Sequence, residues 1–165
     1  MTVFGNALMD RFRRQTGRHW THLAEAIPAG SVPHHSFHVF NVYPWVGLLG
    51  QGRGEPLEIL QRCRIRWGQV VTVVGDQVVV RSRPLRYDGR RLTLGAAELE
   101  TVTCALDGVG LAAGLSSGEW VGMHWGWVCD RLSRRQLVNL RRFTLRQLHI
   151  TNDRVAHSGP AQVLG

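Results

Sequence analysis

The spacing of apolar residues changes near Cys63, and this change divides the chain into a helical first part and a β-rich second part. Between residues 6 and 26 the apolar positions recur at helical intervals, broken only at Thr16-Gly17. After a turn rich in proline, residues 34–49 predict a second, proline-interrupted helix. A short third helix, with Pro56 in its first turn, is expected to end near Cys63.

From Ile65 onward apolar and polar residues alternate, which indicates short β-strands joined by tight turns. Strands are predicted near Ile65 and Trp67, at Val70–Val74 and Val78–Val80, around Leu92 and Leu94, at Leu99–Leu106, and as one last strand within GEWVGMHWGWV. About five short strands close together favour a small closed or partly closed barrel, because closure hides the strand edges.

A last helix is predicted after the barrel. Ser133 is a suitable N-cap, and apolar residues recur at helical spacing from Leu137 as far as Ile150. The fold class is therefore α+β, with a helical region in residues 1–62, a barrel and C-terminal helix in residues 63–150, and a loose tail in residues 151–165.

The composition is that of an ordinary globular protein, with 165 residues, 44% of them hydrophobic and 19% charged. No apolar run approaches the roughly 18 residues of a membrane span, and the first residues lack the order of a signal peptide. We therefore expect a cytoplasmic protein with no membrane partner. Cys63, Cys104 and Cys129 are expected to be free thiols.

The net charge of +8 comes almost entirely from clustered arginines. Such a surface favours acidic partners, whether protein or nucleic acid, although solvated helix faces have the same composition. The six tryptophans add an alternative, because a basic barrel with exposed aromatic rings can bind single-stranded nucleic acid.

Two short segments resemble the HypC/HupF family of hydrogenase-maturation chaperones. The first is CRIRWGQVV, which starts at Cys63 and keeps the family's glycine at Gly68, although Trp67 replaces the usual proline. The second is GEWVGMHWGWVCDRL, Gly118–Leu132, which keeps the family's order of glycine, acidic residue, aromatic residue, valine, histidine at His124, glycine and leucine. With the strand order and the last helix, the resemblance covers roughly residues 63–150.

The resemblance implies an OB-like barrel and an accessory function, with no enzymatic activity. Members of that family bind a scaffold protein, HypD, and carry an iron with cyanide and carbon monoxide ligands to the large subunit of a nickel-iron hydrogenase. Carried over, Cys63 would be the iron-binding thiolate, and His124 a second ligand or a residue that orients the site. Partner contacts would come from the remaining motif residues Trp67, Gly68, Trp120, Gly126 and Trp127.

One departure from the family concerns the cysteine. In the small chaperones it becomes the N-terminal residue, whereas here a helical region precedes Cys63, so no free α-amino group is available. The neighbouring Arg62 and Arg64 would lower the pKa of the thiol and favour the thiolate. A thiolate with an imidazole suits low-valent iron. The alternative is that Cys63 is a small buried apolar residue and His124 a hydrogen-bonded histidine at the rim of the core.

A second group of histidines lies in the helical region. His34, His35 and His38 are spaced so that two imidazoles share one helix face, an arrangement that can hold a metal. If this region folds over the barrel, His35 or His38 would meet Cys63 and His124. The alternative is a helix N-terminus with partly exposed histidines.

The sequence therefore predicts an accessory protein of nickel-iron hydrogenase maturation that transiently binds iron. Its expected partners are a HypD-like scaffold and the hydrogenase large subunit. A basic OB-like nucleic-acid-binding module and an interaction domain with no metal role stay as alternatives.

Overall fold

The computed structural model of the protein describes residues 34–42, 44–49 and 54–156. The helix predicted at residues 6–26, the turn that follows it and the end of the chain lie outside the described residues.

The predicted second helix is an irregular helical segment. Helix α1, His35–Phe37, continues into a π-helical turn, His38–Val42, and a 3-10 helix, Pro44–Leu48. Pro44 has no N–H to donate, so an α-helical hydrogen-bond ladder cannot continue through it.

Helix α2, Glu55–Cys63, confirms the predicted third helix and its end. Pro56 lies in its first turn, where a missing N–H removes no helical hydrogen bond. The acidic Glu55 and Glu58 also lie in this turn, where the helix dipole favours negative charge.

Five strands form a closed barrel in the order β1-β2-β5-β7-β6, and two more strands form a separate hairpin. The barrel pairs are antiparallel except for β5 with β7. This architecture confirms the α+β class and the predicted small barrel. The strands are β1, Arg66–Val74; β2, Gln77–Ser82; β3, Leu85–Tyr87; β4, Leu92–Leu94; β5, Glu98–Thr103; β6, Trp120–His124; and β7, Trp127–Arg131.

The barrel interior is filled mainly by strand residues, and the predicted alternation is clearest in β2, where Val78, Val80 and Ser82 are buried. Gly68 packs closely in this interior, because a Cβ atom there would lie 3.0 Å from the Met123 and Val80 side chains, which would have to shift. The buried core residues are Val70, Val78, Val80, Val102, Cys104, Ala112, Val121, Met123 and Val128.

The prediction of one strand within GEWVGMHWGWV is wrong, because the segment forms two strands joined by a tight turn. Trp125 and Gly126 both have positive φ, 50° and 82°, the pattern of a two-residue hairpin turn that matches the twist of the strands. The predicted strand at Leu99–Leu106 is also shorter, since it ends at Thr103. The N–H groups of Cys104 and Ala105 donate to the Asp76 carbonyl, outside the barrel ladder.

Helix α3, Arg134–Ala156, begins where the sequence predicts. The Gln136 N–H donates to Ser133 Oγ at 3.3 Å, and Gln136 Oε1 accepts from the Ser133 N–H at 2.8 Å, which is a capping box. The helix does not end at Ile150, so the part of the predicted tail that the structure describes is helical. Thr151 and Asn152 hold the additional turns because both are buried and hydrogen-bonded.

Helix α3 joins the two cores of the molecule. Leu137 and Leu140 pack with Trp67 of the barrel. Leu148 belongs to a second core, which the π-helical turn, α2 and the β3-β4 hairpin complete with Val39, Phe40, Leu60, Cys63, Leu85 and Leu92. The irregular helical segment is thereby held against the start of the barrel, and this contact positions the candidate site.

None of the described helices combines the length and the hydropathy that a membrane span needs.

The Asn152 side chain should be a main link between α3 and the hairpin, because it accepts from the Leu92 N–H at 2.8 Å and donates to the Leu92 carbonyl at 2.9 Å. Asn152→Ala leaves two buried backbone groups without partners, so the free energy of unfolding should fall by about 2–4 kcal/mol in urea titration. The exposed neighbour Asp153→Ala should change it by less than about 0.5 kcal/mol. Equal effects of the two substitutions would contradict this arrangement.

Candidate metal centre

Three metal-ligating side chains that are far apart in the sequence meet at one place. His35 begins α1, Cys63 ends α2 and His124 ends β6. One ligand atom from each lies within 4.8 Å of the others. The structure thus brings together the two residues of the HypC-like motifs and one of the three histidines of the helical region.

His35 is fixed by its neighbours in the helical segment. His34 caps α1, with its Nδ1 accepting from the Ser36 N–H at 3.1 Å. The His34 ring also stacks on Phe143 of α3, with 4.7 Å between ring centroids. The buried side chain of Phe37 anchors the other side of the turn. His35 is therefore held between two anchored residues.

Cys63 is positioned by the way α2 ends. Leu60 is fully buried, and its carbonyl accepts from the Arg64 N–H at 3.1 Å. Gln61 fixes the helix to the next hairpin, because its Oε1 accepts from the Leu85 N–H at 2.8 Å. With 7% of its surface exposed, Cys63 lies at the edge of the second core.

His124 is positioned by the β6-β7 hairpin, in which it pairs with Trp127 beside the turn. The turn is joined to α2, because the Trp125 N–H donates to the Arg62 carbonyl at 3.0 Å. Trp125 carries a backbone conformation that is unfavourable for a bulky residue. The hydrogen bond to Arg62 helps to hold it, and so keeps His124 next to Cys63.

The three side chains of the cluster lie close together but not at the spacing of metal ligands. His35 Nε2 donates to the Cys63 carbonyl at 2.8 Å, and it lies 4.0 Å from Cys63 Sγ. The rings of His35 and His124 are 5.2 Å apart between centroids and nearly perpendicular. Ligands around a tetrahedral zinc ion are roughly 3.5 Å apart. A movement on the order of 1 Å, with loss of the His35 hydrogen bond, would close the cluster around an ion.

One ring nitrogen of His124 lies in an unusual environment. Its Nε2 is buried and has no hydrogen-bond partner in the part of the chain that the structure describes. A buried polar atom without a partner is costly, and histidines in ordinary cores avoid this state. A metal ion would satisfy this nitrogen, so the observation favours a ligand over a hydrogen-bonded core histidine.

Near pH 7 the His124 ring is neutral, the form that binds a metal, whereas the Cys63 thiol is protonated. Burial, and then the neighbouring charge of His35, lower the pKa of His124, while an interaction with the Cys63 backbone acts in the opposite direction. The ring is therefore neutral near pH 7 and offers a lone pair. Burial raises the pKa of Cys63, so its thiol stays protonated until a metal displaces the proton.

The predicted activation of Cys63 by its arginine neighbours is wrong. Arg62 is exposed and pairs with Glu58 at 2.8 Å. The Arg64 side chain is buried but donates to Gln61 and to the Arg83 carbonyl. Neighbours in sequence at a helix end point in different directions, so desolvation decides the pKa of the thiol.

Two other groups of candidate residues lie outside the cluster. His38 is exposed and is not one of the three converging donors. All three cysteines are free thiols, as expected; Cys104 is in the barrel core, and Cys129 is half-buried on β7.

Several residues that the resemblance nominates for partner binding have structural roles. Trp67 is buried, and the Arg141 guanidinium lies over its ring and over that of Trp120, at 5.6 and 4.8 Å from the centroids. Gly126 completes the β6-β7 turn, and Trp127 is 41% exposed. Trp125, which the sequence reasoning missed, is 47% exposed beside it. Gly126 was a signal for this turn, since glycine readily takes the positive φ that a two-residue hairpin turn needs.

The family model described as "Family of unknown function (DUF6390)" matches residues 1–158. The chain belongs to the DUF6390 family. The matched range includes His35, Cys63 and His124, so the candidate metal centre lies within the part that DUF6390 defines. No curated protein and no solved structure matches the chain. The DUF6390 description names no activity.

The titration of His124 tests this geometry. Since its folded-state pKa is lowered from 6.5, the ring should stay neutral at pH values where the unfolded chain is protonated, and its NMR midpoint should lie below 6.5. His35→Ala removes a neighbouring charge and should raise that midpoint. The exposed His149→Ala should leave it unchanged. A midpoint at or above 6.5 in the folded protein would contradict the burial of the ring.

Proposed function

We propose that this DUF6390 protein is a metal-carrying accessory protein of nickel-iron hydrogenase maturation. In this function His35, Cys63 and His124 hold an iron that bears cyanide and carbonyl ligands as cargo. The observation that carries the proposal is the meeting of Cys63 with His124, the two residues that the HypC-like motifs nominate, at a cluster with a third donor.

The donor set suits such a cargo. One sulfur and two imidazole nitrogens form a soft set that favours low-valent iron over the hard cations that prefer oxygen. Three protein donors also leave coordination positions for ligands that arrive with the metal. Sites with open positions exchange and transform ligands, whereas closed four-ligand sites are structural.

In this proposal, a nitrogen of His35 takes the place of the α-amino nitrogen of the small chaperones. The α-amino group that accompanies the cysteine in that family is absent here, because Cys63 follows a peptide bond. His35 Nε2 lies 4.0 Å from Cys63 Sγ, so it supplies a nitrogen ligand for a metal beside the thiol. The helical region would then serve to bring this nitrogen to the site.

Delivery requires a partner close to the cluster. Trp125 and Trp127 are exposed on the hairpin that carries His124. Exposed tryptophans are enriched where proteins bind one another. A HypD-like scaffold and the hydrogenase large subunit are the proposed partners, and the hairpin is their proposed docking point.

The alternative function, binding of single-stranded nucleic acid, would use the same exposed residues, Trp125 and Trp127. Stacking on single-stranded bases needs aromatic rings beside basic groups on an open face. Trp67 and Trp120 instead lie under Arg141 of α3, which covers that part of the barrel. We favour the metal function, because the buried His124 nitrogen needs a partner that nucleic acid would not supply. Salt-dependent binding of a labelled oligonucleotide would support the alternative.

Metal binding by the purified protein tests the site. Titration with Co²⁺ should give one bound ion per chain and a sulfur-to-metal charge-transfer band. Cys63→Ala should abolish the band, and His35→Ala or His124→Ala should weaken Co²⁺ binding by at least about 10-fold, since loss of a ligand costs no less than loss of an outer partner. His38→Ala and Cys129→Ala are the matched controls and should bind normally. An unchanged band in Cys63→Ala would exclude the cluster.

Hydrogenase activity in the host tests the proposed function in hydrogenase maturation. In a strain that lacks the protein, Cys63→Ala and His124→Ala should fail to restore nickel-iron hydrogenase activity, while Cys129→Ala should restore it. Full activity with both site variants would favour an interaction domain with no metal role.

A further inference from the structure

The outer face of helix α3 is strongly basic. The helix contains six arginines and one acidic residue, Asp153, which pairs with His149 at 3.3 Å. Two of the arginines hold the fold together, since Arg141 lies over the rings of two barrel tryptophans and Arg154 donates to Asn41 Oδ1. The other four are exposed, and none has a side-chain hydrogen bond or ion pair with another described residue; they are Arg134, Arg135, Arg142 and Arg146.

These four arginines are placed unfavourably for the helix itself. Arg134 and Arg135 lie in the first turn, where the helix dipole disfavours cations and no acidic residue offsets them. Arg142 and Arg146 have the i, i+4 spacing at which like charges repel. The charges therefore destabilise α3 without a compensating contact in the described residues. Side chains that oppose a local preference in this way are typical of functional surfaces.

Two aliphatic side chains lie among these charges. Val138 and Leu145 are 54% and 55% exposed. With Arg135, Arg142 and His149 they form one stripe along the helix, because positions 135, 138, 142, 145 and 149 alternate intervals of three and four residues. This is the spacing by which one helix packs along another. At a rise of 1.5 Å per residue the stripe, here called the outer stripe, is about 21 Å long.

The mixture of charge and aliphatic surface selects the chemistry of a partner. Cations alone would suit nucleic acid or an anionic membrane equally well. The exposed Val138 and Leu145, however, offer no aromatic ring on which a base could stack. They are also too few for the broad apolar face with which a helix lies in a membrane. An acidic amphipathic helix supplies both carboxylates for the arginines and aliphatic groups for these two residues.

The parts of the chain outside the described residues do not have this composition. Residues 1–33 contain four arginines and only two acidic residues, Asp10 and Glu25. Residues 157–165 contain no acidic residue. The negative charge that complements the outer stripe must therefore come from another molecule.

We propose that the outer stripe of α3 docks an acidic amphipathic helix of another protein, about 15 residues long to match the stripe. Carboxylates of that helix face Arg135 and Arg142, and its aliphatic side chains cover Val138 and Leu145. The inference goes beyond the proposed function and uses no residue of the candidate metal centre. It can therefore hold or fail whether or not the protein binds metal.

Photocrosslinking of the full chain in the host tests this docking. Asn139→p-benzoylphenylalanine places the photoreactive group beside the outer stripe and leaves the stripe itself intact, because Asn139 is exposed between Arg135 and Arg142. Thr101→p-benzoylphenylalanine, at an exposed position of β5, is the matched control. Mass spectrometry of the crosslinked peptide identifies the segment. We expect a crosslink from position 139, and not from position 101, to a segment of another protein that has carboxylates and aliphatic residues at helical spacing.

A charge-reversed variant separates docking from folding. Arg135→Glu with Arg142→Glu places one carboxylate in the first turn and one a turn before Arg146, so the purified protein should unfold at a higher urea concentration than the wild type. The same variant should lower the crosslinking yield from position 139 at least about 10-fold, because like charges would then face each other. Arg81→Glu with Arg90→Glu changes the net charge equally at exposed sites outside α3, and should keep the yield within about twofold.

Exchange of charge across the interface completes the test. Arginines in place of the carboxylates of the crosslinked segment should restore the yield with the charge-reversed variant. A crosslink to nucleic acid, to this chain or a second copy of it, or to a segment without acidic residues would overturn the inference. A yield from position 139 no higher than that from position 101, or one that charge reversal leaves unchanged, would also overturn it. If the charge-reversed variant does not fold, the identity of the crosslinked segment decides.

Discussion

The open end of helix α2 is the constraint around which the site is built. The last carbonyls of any α-helix have no partner within the helix and must be satisfied from outside. In α2, the C-cap residue Arg64 donates its N–H to the Leu60 carbonyl. The next carbonyls are satisfied from outside, since that of Arg62 accepts from the Trp125 N–H and that of Cys63 from His35 Nε2. The same hydrogen bonds that complete the helix therefore bring His35 and the His124 hairpin to the Cys63 thiol.

This arrangement also sets the protonation of two of the three side chains in the candidate site. Burial raises the pKa of the Cys63 thiol and lowers the pKa of the His124 ring, so both groups are neutral near pH 7. In the proposed function, a metal ion would displace the thiol proton of Cys63 and the hydrogen bond of His35. Binding should then be coupled to proton release and to a small closure of the helical segment over the hairpin.

Much of the fold could be predicted from the sequence, because alternation and helical spacing report directly on burial. The β1 and β2 strands and the α2 boundaries follow from such local patterns. The β6-β7 turn was missed because tryptophan rarely takes positive φ, and at Trp125 a contact with α2 helps to hold that conformation. The last turns of α3 were missed because Asn152 is polar in sequence but is buried through its hydrogen bonds to Leu92.

The site was predictable only in part. The resemblance nominated Cys63 and His124, and the spacing of the histidines nominated His35 and His38 equally. Only tertiary packing separates the last two, since α1 turns His35 toward the end of α2 and leaves His38 exposed. The assumed role of Arg62 and Arg64 was wrong for the same reason, because adjacency along the chain does not give the direction of a side chain.

The measurement that tests the central claim most directly is made on tagged protein purified without oxygen from a hydrogenase-expressing host. X-ray absorption would identify the metal and its ligands, and infrared spectroscopy would report cyanide and carbonyl stretching bands. The account predicts iron with one sulfur and two imidazole ligands together with those bands, and their loss in Cys63→Ala. Protein free of iron, or iron with no sulfur ligand, would contradict it.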